Sequence, residues 1–393
     1  MNEDGKDILR KIPPSFREHY LLPLTSPEHE TIHPDLYRRL IDEGTDMIIN
    51  RLKTYNKRRK ILLKKISKKI EIENIKVDED AASVRVVASD AGNNGVDLRS
   101  AFIPLYASVA LVAEGWSIPE EPIFIAGEPE LWIEEFRAGD REALLALKIQ
   151  AEVTLEAIEK WNPKFVFFDG PLLVSRWVRP FSDSSEGYRK DFGETLDTIV
   201  KLIYRCYQKN IPIIGFAKRV RATSLCRILG IERMRDTALL DLILHAGEYT
   251  APYKMTSSLF RNYQESALRV GINSSMINEI LEFYSTYIRT GLTTPFRLEI
   301  PKYCVNELNE AAIILYTTSE EDGIPFSINE ADRLAKVTTG VSNIRTLMIY
   351  SKALELVNKG EMNPEDLNML TLQHGEAWAL RDEGYIEFEE GGV

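Results

Sequence analysis

The sequence predicts an α/β fold, a mixed sheet core flanked by N-terminal and C-terminal helices. Three observations carry this expectation. Two apolar runs, in VRVVASD and KFVFFDG, read as strands covered on both faces. Segments with helical apolar spacing alternate with strand-like runs after an early group of strands, the pattern of a mixed sheet with helical layers. The composition, 44% hydrophobic and 28% charged over 393 residues, is that of a globular chain with a sizeable core. Such a core needs neither disulfides nor a structural metal.

Three regions follow along the chain. Residues 1–80 read as helical after a Pro-containing lead. Within them, residues 51–70 carry ten Lys/Arg and no acid. Leu52, Tyr55, Leu62, Leu63, Ile66 and Ile70 recur there at helical spacing, giving an apolar seam with a cationic back. Residues 81–310 read as the α/β core. Its expected strands are SVRVVASD, 101–112, EPIFIAG, KFVFFDG, IPIIGF and PFRLEIP, and its expected helices are 141–160, 187–209 and 218–246. Residues 311–393 read as helical, with INEADRLAKV and NIRTLMIYSKALELVNKG spaced as helices, Gly360 as a stop signal and an acidic tail.

The charge balance narrows the function classes. A net charge of −11 argues against a protein that only coats DNA, because phosphate neutralisation demands a basic surface. It leaves room for an enzyme whose carboxylates hold metal ions. Cys206, Cys226 and Cys304 form no C-x-x-C pair, which excludes a zinc ribbon or thioredoxin-like motif. A sparse, odd set of cysteines fits a reducing compartment. The first residues, MNEDGKDILRKIPP, lack the apolar stretch of a secretory signal. The longest apolar stretch, 101–113, is too short to span a bilayer. A soluble cytoplasmic protein with no membrane association is the expectation.

Two apolar strands run into acids, Asp90 and Asp169, each followed within two residues by a glycine, Gly92 and Gly170. Acids at strand ends sit on the rim where open α/β sheets bind ligands. Phosphodiester cleavage builds charge on two oxygens, which a pair of divalent ions can stabilise. Hard ions prefer carboxylate oxygen. An Asp-Gly pair after a strand also makes an ordinary turn. Glu152, Glu156 and Glu159 line one side of the helix between the two strands. Periodicity does not choose a third ligand among them, and a solvated acidic stripe is the plain alternative. Trp161, Trp177 and Tyr188 are candidate base-stacking residues, against a core role. His19, His29, His33, His245 and His374 are placed as surface or capping residues.

Taken in order, these motifs resemble the NurA family, archaeal nucleases that work with the HerA translocase in DNA end processing. The likeness runs over most of residues 85–340. SDAGNNG resembles the opening Asp-Gly motif and KFVFFDGPLL the second. IPIIGFAKRVRATSL resembles the segment that supplies Lys218. RDTALLDLIL, PFRLEIP and IPFSINEADRLAKV resemble the later segments. The resemblance implies an RNase H-like core, usually in a homodimer. It implies degradation of single- and double-stranded DNA with Mn²⁺; the chemistry of the strand-end acids adds Mg²⁺ as the alternative and two ions as the expectation. The resemblance selects Glu152 as the third acid beside Asp90 and Asp169. Arg219 and Arg221 join Lys218 as DNA-binding candidates. A HerA-like hexameric ATPase is the implied partner, in the resection of double-strand breaks.

The sequence departs from the family in two places. Ala91 separates Asp90 from Gly92. In the closing motif Ile324 stands where the family has a tyrosine, and Asp332 stands where it has a histidine. Asp332 offers oxygen to a hard ion and is a possible fourth ligand; Ile324 offers no hydroxyl. These departures define a second reading, a weakened or inactive family member that acts as a scaffold or regulator of the ATPase. A third, an ATP-binding protein of the actin or sugar-kinase type, needs a second copy of the fold, and none is legible.

Overall fold

The computed structural model describes residues 38–66 and 69–370, except 134 and 233, together with the isolated residue 35. The acidic tail and four of the histidines, His19, His29, His33 and His374, lie outside the described residues. The chain divides into two compact units, Met1–Lys65 and Ile66–Val393. The first contains helix α1, Gly44–Ile66, which covers most of the basic run. Its last residue, Ile66, belongs to the second unit.

The second unit is built on a wide mixed sheet. After the short strand β1 (Ile72–Asn74) come β2 (Arg85–Asn93), the pair β3 (Val96–Asp97) and β4 (Ala101–Ile103), β5 (Tyr106–Glu114), β6 (Ile123–Ala126) and β7 (Trp132–Ile133). Helix α2 (Ala138–Trp161), β8 (Phe165–Asp169), α3 (Glu186–Lys209) and β9 (Ile213–Ala217) complete an alternating stretch. The short helices α4 (Ser224–Ile228) and α5 (Asp236–Leu240) precede β10 (Glu248–Thr250), β11 (Tyr253–Lys254), α6 (Phe260–Arg269) and α7 (Ile277–Leu281). Then follow β12 (Phe283–Arg289), β13 (Phe296–Pro301), α8 (Leu308–Thr317), α9 (Phe326–Ala335) and α10 (Thr339–Asn358).

The sheet order runs β1-β10-β12-β13-β9-β8-β2-β5-β6, with β11 on the side of β12. At one end of the sheet β6, β5 and β2 form an antiparallel meander, and inward from it β8 and β9 lie parallel to β2 and to each other. This is the RNase H-like arrangement implied by the resemblance. Both faces of the central strands are covered. On one face, Ser89 of β2 receives a hydrogen bond from Thr154 of α2 at 2.7 Å. Residues of opposite parity face the other way, and there Gly92 meets the end of α9. Full coverage explains why Val86, Val87, Ala88 and Phe165–Phe168 are buried without alternation.

Three expectations need correction. The 101–112 stretch is two strands, because Pro104 cannot donate to a ladder and the chain breaks there into β4 and β5. β4 pairs with β3 and β7 in a small separate sheet. The helix expected over 218–246 is only the two short helices α4 and α5. Asp236 is fully buried between them and accepts from the backbone N–H groups of Leu225 and Cys226 (3.0 and 2.8 Å), tying the first turn of α4 to α5. Finally, β2 does not stop at Asp90 but continues to Asn93. The 343–360 reading holds better: α10 ends at Asn358, and Gly360 turns the chain at φ +73°.

Candidate functional site

Register brings the two strand acids together. β2 and β8 are parallel with Ser89 opposite Phe168, so Asp90 and Asp169 are the next pair along. β8 ends at Asp169, and Gly170 takes φ +99°, which lets the chain turn off the sheet. β9 pairs Phe216 with Asp169 and ends at Ala217, which leaves Lys218 at the rim on the next strand. Three adjacent strands thus deliver Asp90, Asp169 and Lys218 in a row. α9, packed on β2 and β5, supplies Asp332 from above.

One carboxylate oxygen from each of Asp90, Asp169 and Asp332 falls within 4.8 Å of the other two. Lys218 Nζ lies 2.6 Å from Asp169 Oδ2 and 2.6 Å from Asp332 Oδ1. Its hydrogen bond is directed at Asp332. Asp169 Oδ2 is buried and ion-paired with the Lys218 ammonium. Asp90 Oδ1 accepts from the Ala91 N–H at 2.7 Å.

The electrostatics are those of crowded, poorly hydrated acids. Burial, with the Asp169 charge beside it, pushes the Asp90 carboxyl up to about 9. Burial also raises Asp169, although the Lys218 ammonium opposes it. Burial acts upward on Asp332 too, but there the hydrogen bond and charge of Lys218 win and hold it below the usual range. Burial acts to lower Lys218, and the surrounding carboxylates outweigh it and raise the amine. The raised Asp90 and Asp169 carboxyls mark like charges crowded together, which a further positive charge at the cluster would relieve.

These groups line a cleft of about 740 Å³. Its floor is made rigid by Gln150 of α2, which is buried and donates to the carbonyls of Ser89 and Asp169, both at 2.9 Å. One amide thereby ties the end of β2 to the end of β8. Gln150 was not singled out in the sequence. Its signal was a polar residue on the apolar stripe of α2, together with Thr154 one turn on. Asn93 and Asn329 also line the cleft.

Glu152 is not brought into the cluster. Two residues from Gln150 on a helix is a rotation of about 200°, so Glu152 points away from the cleft. Burial raises its carboxyl, and the charges it feels are those of Lys148, Glu194 and Lys201. α2 presents Ala143, Ala146, Leu147 and Gln150 to the cleft instead. Glu159 belongs to the acidic stripe, paired with Arg205 and Lys209 (2.5 and 3.2 Å). Ile324 lines the cleft, so the closing-motif departure falls within the site. Arg219 is exposed at its rim, and Arg221 is exposed beyond the lining residues. Trp161 and Tyr188 are core residues, whereas Trp177 is 67% exposed. His245 is exposed, away from the cleft.

Fold and site together define an α/β protein with a carboxylate cluster at the rim of an RNase H-like sheet. The NurA domain model matches residues 55–337, and the chain belongs to the NurA family. No curated protein matches the sequence. Among solved structures the chain is similar to the NurA nuclease from Sulfolobus solfataricus, with a TM-score of 0.59 and 14% identity over 82% of this chain and 98% of that one. It is also similar to a NurA bound to dAMP and manganese (TM-score 0.54, 11% identity, 77% and 94% covered). A NurA with manganese matches comparably (TM-score 0.53, 10% identity, 80% and 98% covered).

Proposed function

We propose that this chain is a metal-dependent deoxyribonuclease that hydrolyses phosphodiester bonds at the Asp90–Asp169–Asp332 cleft. The observation that carries this reading is the convergence of three carboxylates from three separate elements within 4.8 Å, beside a lysine. Family membership supports it, as does the likeness of fold to a NurA bound to dAMP and manganese.

The donor set fits a hard divalent ion, Mn²⁺ or Mg²⁺: it is all oxygen, its three carboxylates stand within reach of one centre, and two of them are raised by burial and crowding that a cation would relieve. Asp90, Asp169 and Asp332 would hold the metal, with two ions as the expectation. Such ions, when bound, stabilise charge on the attacking and leaving oxygens of an in-line displacement. The protein's own residues do the rest. Gln150 fixes the separation of the two strand acids. Lys218 is a point charge able to meet a phosphate once its carboxylates are engaged elsewhere. Arg219 and Arg221 offer cationic contacts to the DNA backbone. Asp90 must release its proton before its carboxylate can serve.

The test is digestion of end-labelled single-stranded and blunt duplex DNA with Mn²⁺, Mg²⁺ or EDTA. Loss of label with metal and none with EDTA supports the reading.

A second reading, a weakened or inactive scaffold, is favoured by one observation. α2 gives the cleft no carboxylate, and Ile324 stands in it where the family has a hydroxyl. This reading leads if no metal supports digestion while a HerA-like hexameric ATPase is still bound in a pull-down. The ATPase partnership, a role in end resection and a homodimer are proposals that rest on the family resemblance. Loss of ATPase capture at physiological salt would remove the first.

A further inference from the structure

We propose that the turn carrying Trp177 is a stacking platform that receives the bases of single-stranded DNA at the mouth of the cleft. This deepens, and rests on, the nuclease reading. Gly170, Pro171, Val174, Ser175 and Val178 form one wall of the cleft. The same wall carries a 3₁₀ turn, Arg176–Val178, capped by Ser175. Trp177 on this turn is 67% exposed, and nearby Phe181 and Phe136 are 61% and 98% exposed. Trp177, flanked in sequence by the cleft-lining Ser175 and Val178, forfeits burial that a purely structural role would use, while Phe136 and Phe181 line a separate small pocket with Arg137.

The platform is rigid although its rings are largely exposed. Arg137, just before α2, donates to the carbonyl oxygens of Trp177 and, at 3.1 Å, of Arg179. The buried Tyr188 hydroxyl donates to the Val178 carbonyl at 3.0 Å. Arg137 also stacks on the Phe181 ring at 4.6 Å. Its own charge is engaged by Asp140, with Nε 2.8 Å from Oδ2, so it acts as a pin. The free charge is on its neighbours. Arg176 stacks on Trp177 at 4.8 Å, and among the described residues neither Arg176 nor Arg179 has a carboxylate partner. An exposed indole already stacked on one guanidinium offers its remaining surface to any base, and guanidiniums without a carboxylate partner beside it suit phosphates. A base inside a duplex is already stacked on both sides, so the platform selects single strands or frayed ends.

The test is fluorescence anisotropy of a labelled oligothymidylate and a labelled blunt duplex with the full chain in EDTA, comparing wild type, Trp177→Ala and Trp177→Phe. Trp177→Ala is expected to weaken single-strand binding about tenfold, to leave duplex binding unchanged, and to be rescued by Trp177→Phe. Equal affinity of wild type and Trp177→Ala for the single strand overturns the proposal, as does an equal loss on both substrates. So does a wild-type chain that binds no single strand. Digestion by the same preparations in Mn²⁺ separates the two ideas. Active wild type with an indifferent Trp177→Ala sinks the platform alone. Inactive wild type with a selective single-strand loss in Trp177→Ala sinks the nuclease reading and leaves the platform standing.

Discussion

Gly92 on β2 lies directly beneath Ala335 at the end of α9. A Cβ on Gly92 would be driven into the Ala335 carbonyl oxygen and would stand 3.0 Å from the Val337 N–H nitrogen. The glycine is therefore required by close approach and not by a turn, since β2 runs straight through it. This contact couples the strand that carries Asp90 to the helix that carries Asp332. Gly92→Ala should cost roughly 1–3 kcal/mol by overpacking and displace α9. Thermal unfolding should show the loss, and the Mn²⁺ concentration for half-maximal digestion should rise. Unchanged values of both would mean that α9 is not held at this point.

Lys218 competes with any metal for Asp169 and Asp332. Lys218→Met should lower the Mn²⁺ concentration needed for half-saturation, because the carboxylates lose their resident cation. It should also lower the rate at saturating Mn²⁺ by about a hundredfold, the usual order for removing one positioned charge. Metal titrations of digestion rate check both. A weaker metal requirement with an undiminished rate would confine Lys218 to balancing charge.

The raised carboxyl of Asp90 makes the metal-free protein pH-sensitive. Its folded value, about 9, lies above its ordinary value of 3.8, so the folded state holds a proton that the unfolded state has released. That contribution to stability is fully present below about pH 3.8 and is lost as pH rises toward 9. In EDTA, the Tm of wild type relative to Asp90→Asn should fall across this window, whatever slope the other carboxylates impose on both. A Tm difference that stays flat or rises with pH would contradict the crowding of acids described for this site.

α10 leaves an apolar face in water, with Ile344, Leu347 and Met348 exposed by 56%, 65% and 68%. The proposed homodimer gives such a face a use. Leu347→Asp should then shift the chain from dimer to monomer in light scattering after gel filtration. A wild-type chain that is already monomeric would remove the homodimer from the account.

Much of this was legible in the sequence. The strands ending near Asp90 and Asp169, the helix between them and the helix bearing Asp332 follow from apolar runs and 3.6-residue spacing. The juxtaposition of Asp90 and Asp169 needed the β2–β8 register, which no local pattern encodes. The helix phase was the harder matter. Leu145, seven residues before Glu152 and so on the same side of the helix, is buried in the satellite cluster with Phe102, Tyr106 and Trp132 and does not line the cleft. α2 is buried on two sides at once, so helical periodicity alone does not say which side meets the strand ends. The breaks at Pro104 and between α4 and α5 were missed because apolar content outweighed turn chemistry in those readings.

The most direct test sets Glu152→Gln against Asp332→Asn in Mn²⁺-dependent digestion, with Asp90→Asn and Asp169→Asn as references. Glu152→Gln is expected to digest DNA at close to the wild-type rate. Asp332→Asn should lose about a hundredfold or more, and both references should be inactive. If Glu152→Gln were as inactive as Asp90→Asn while Asp332→Asn kept its activity, the cleft described here would not be the set of carboxylates that does the chemistry.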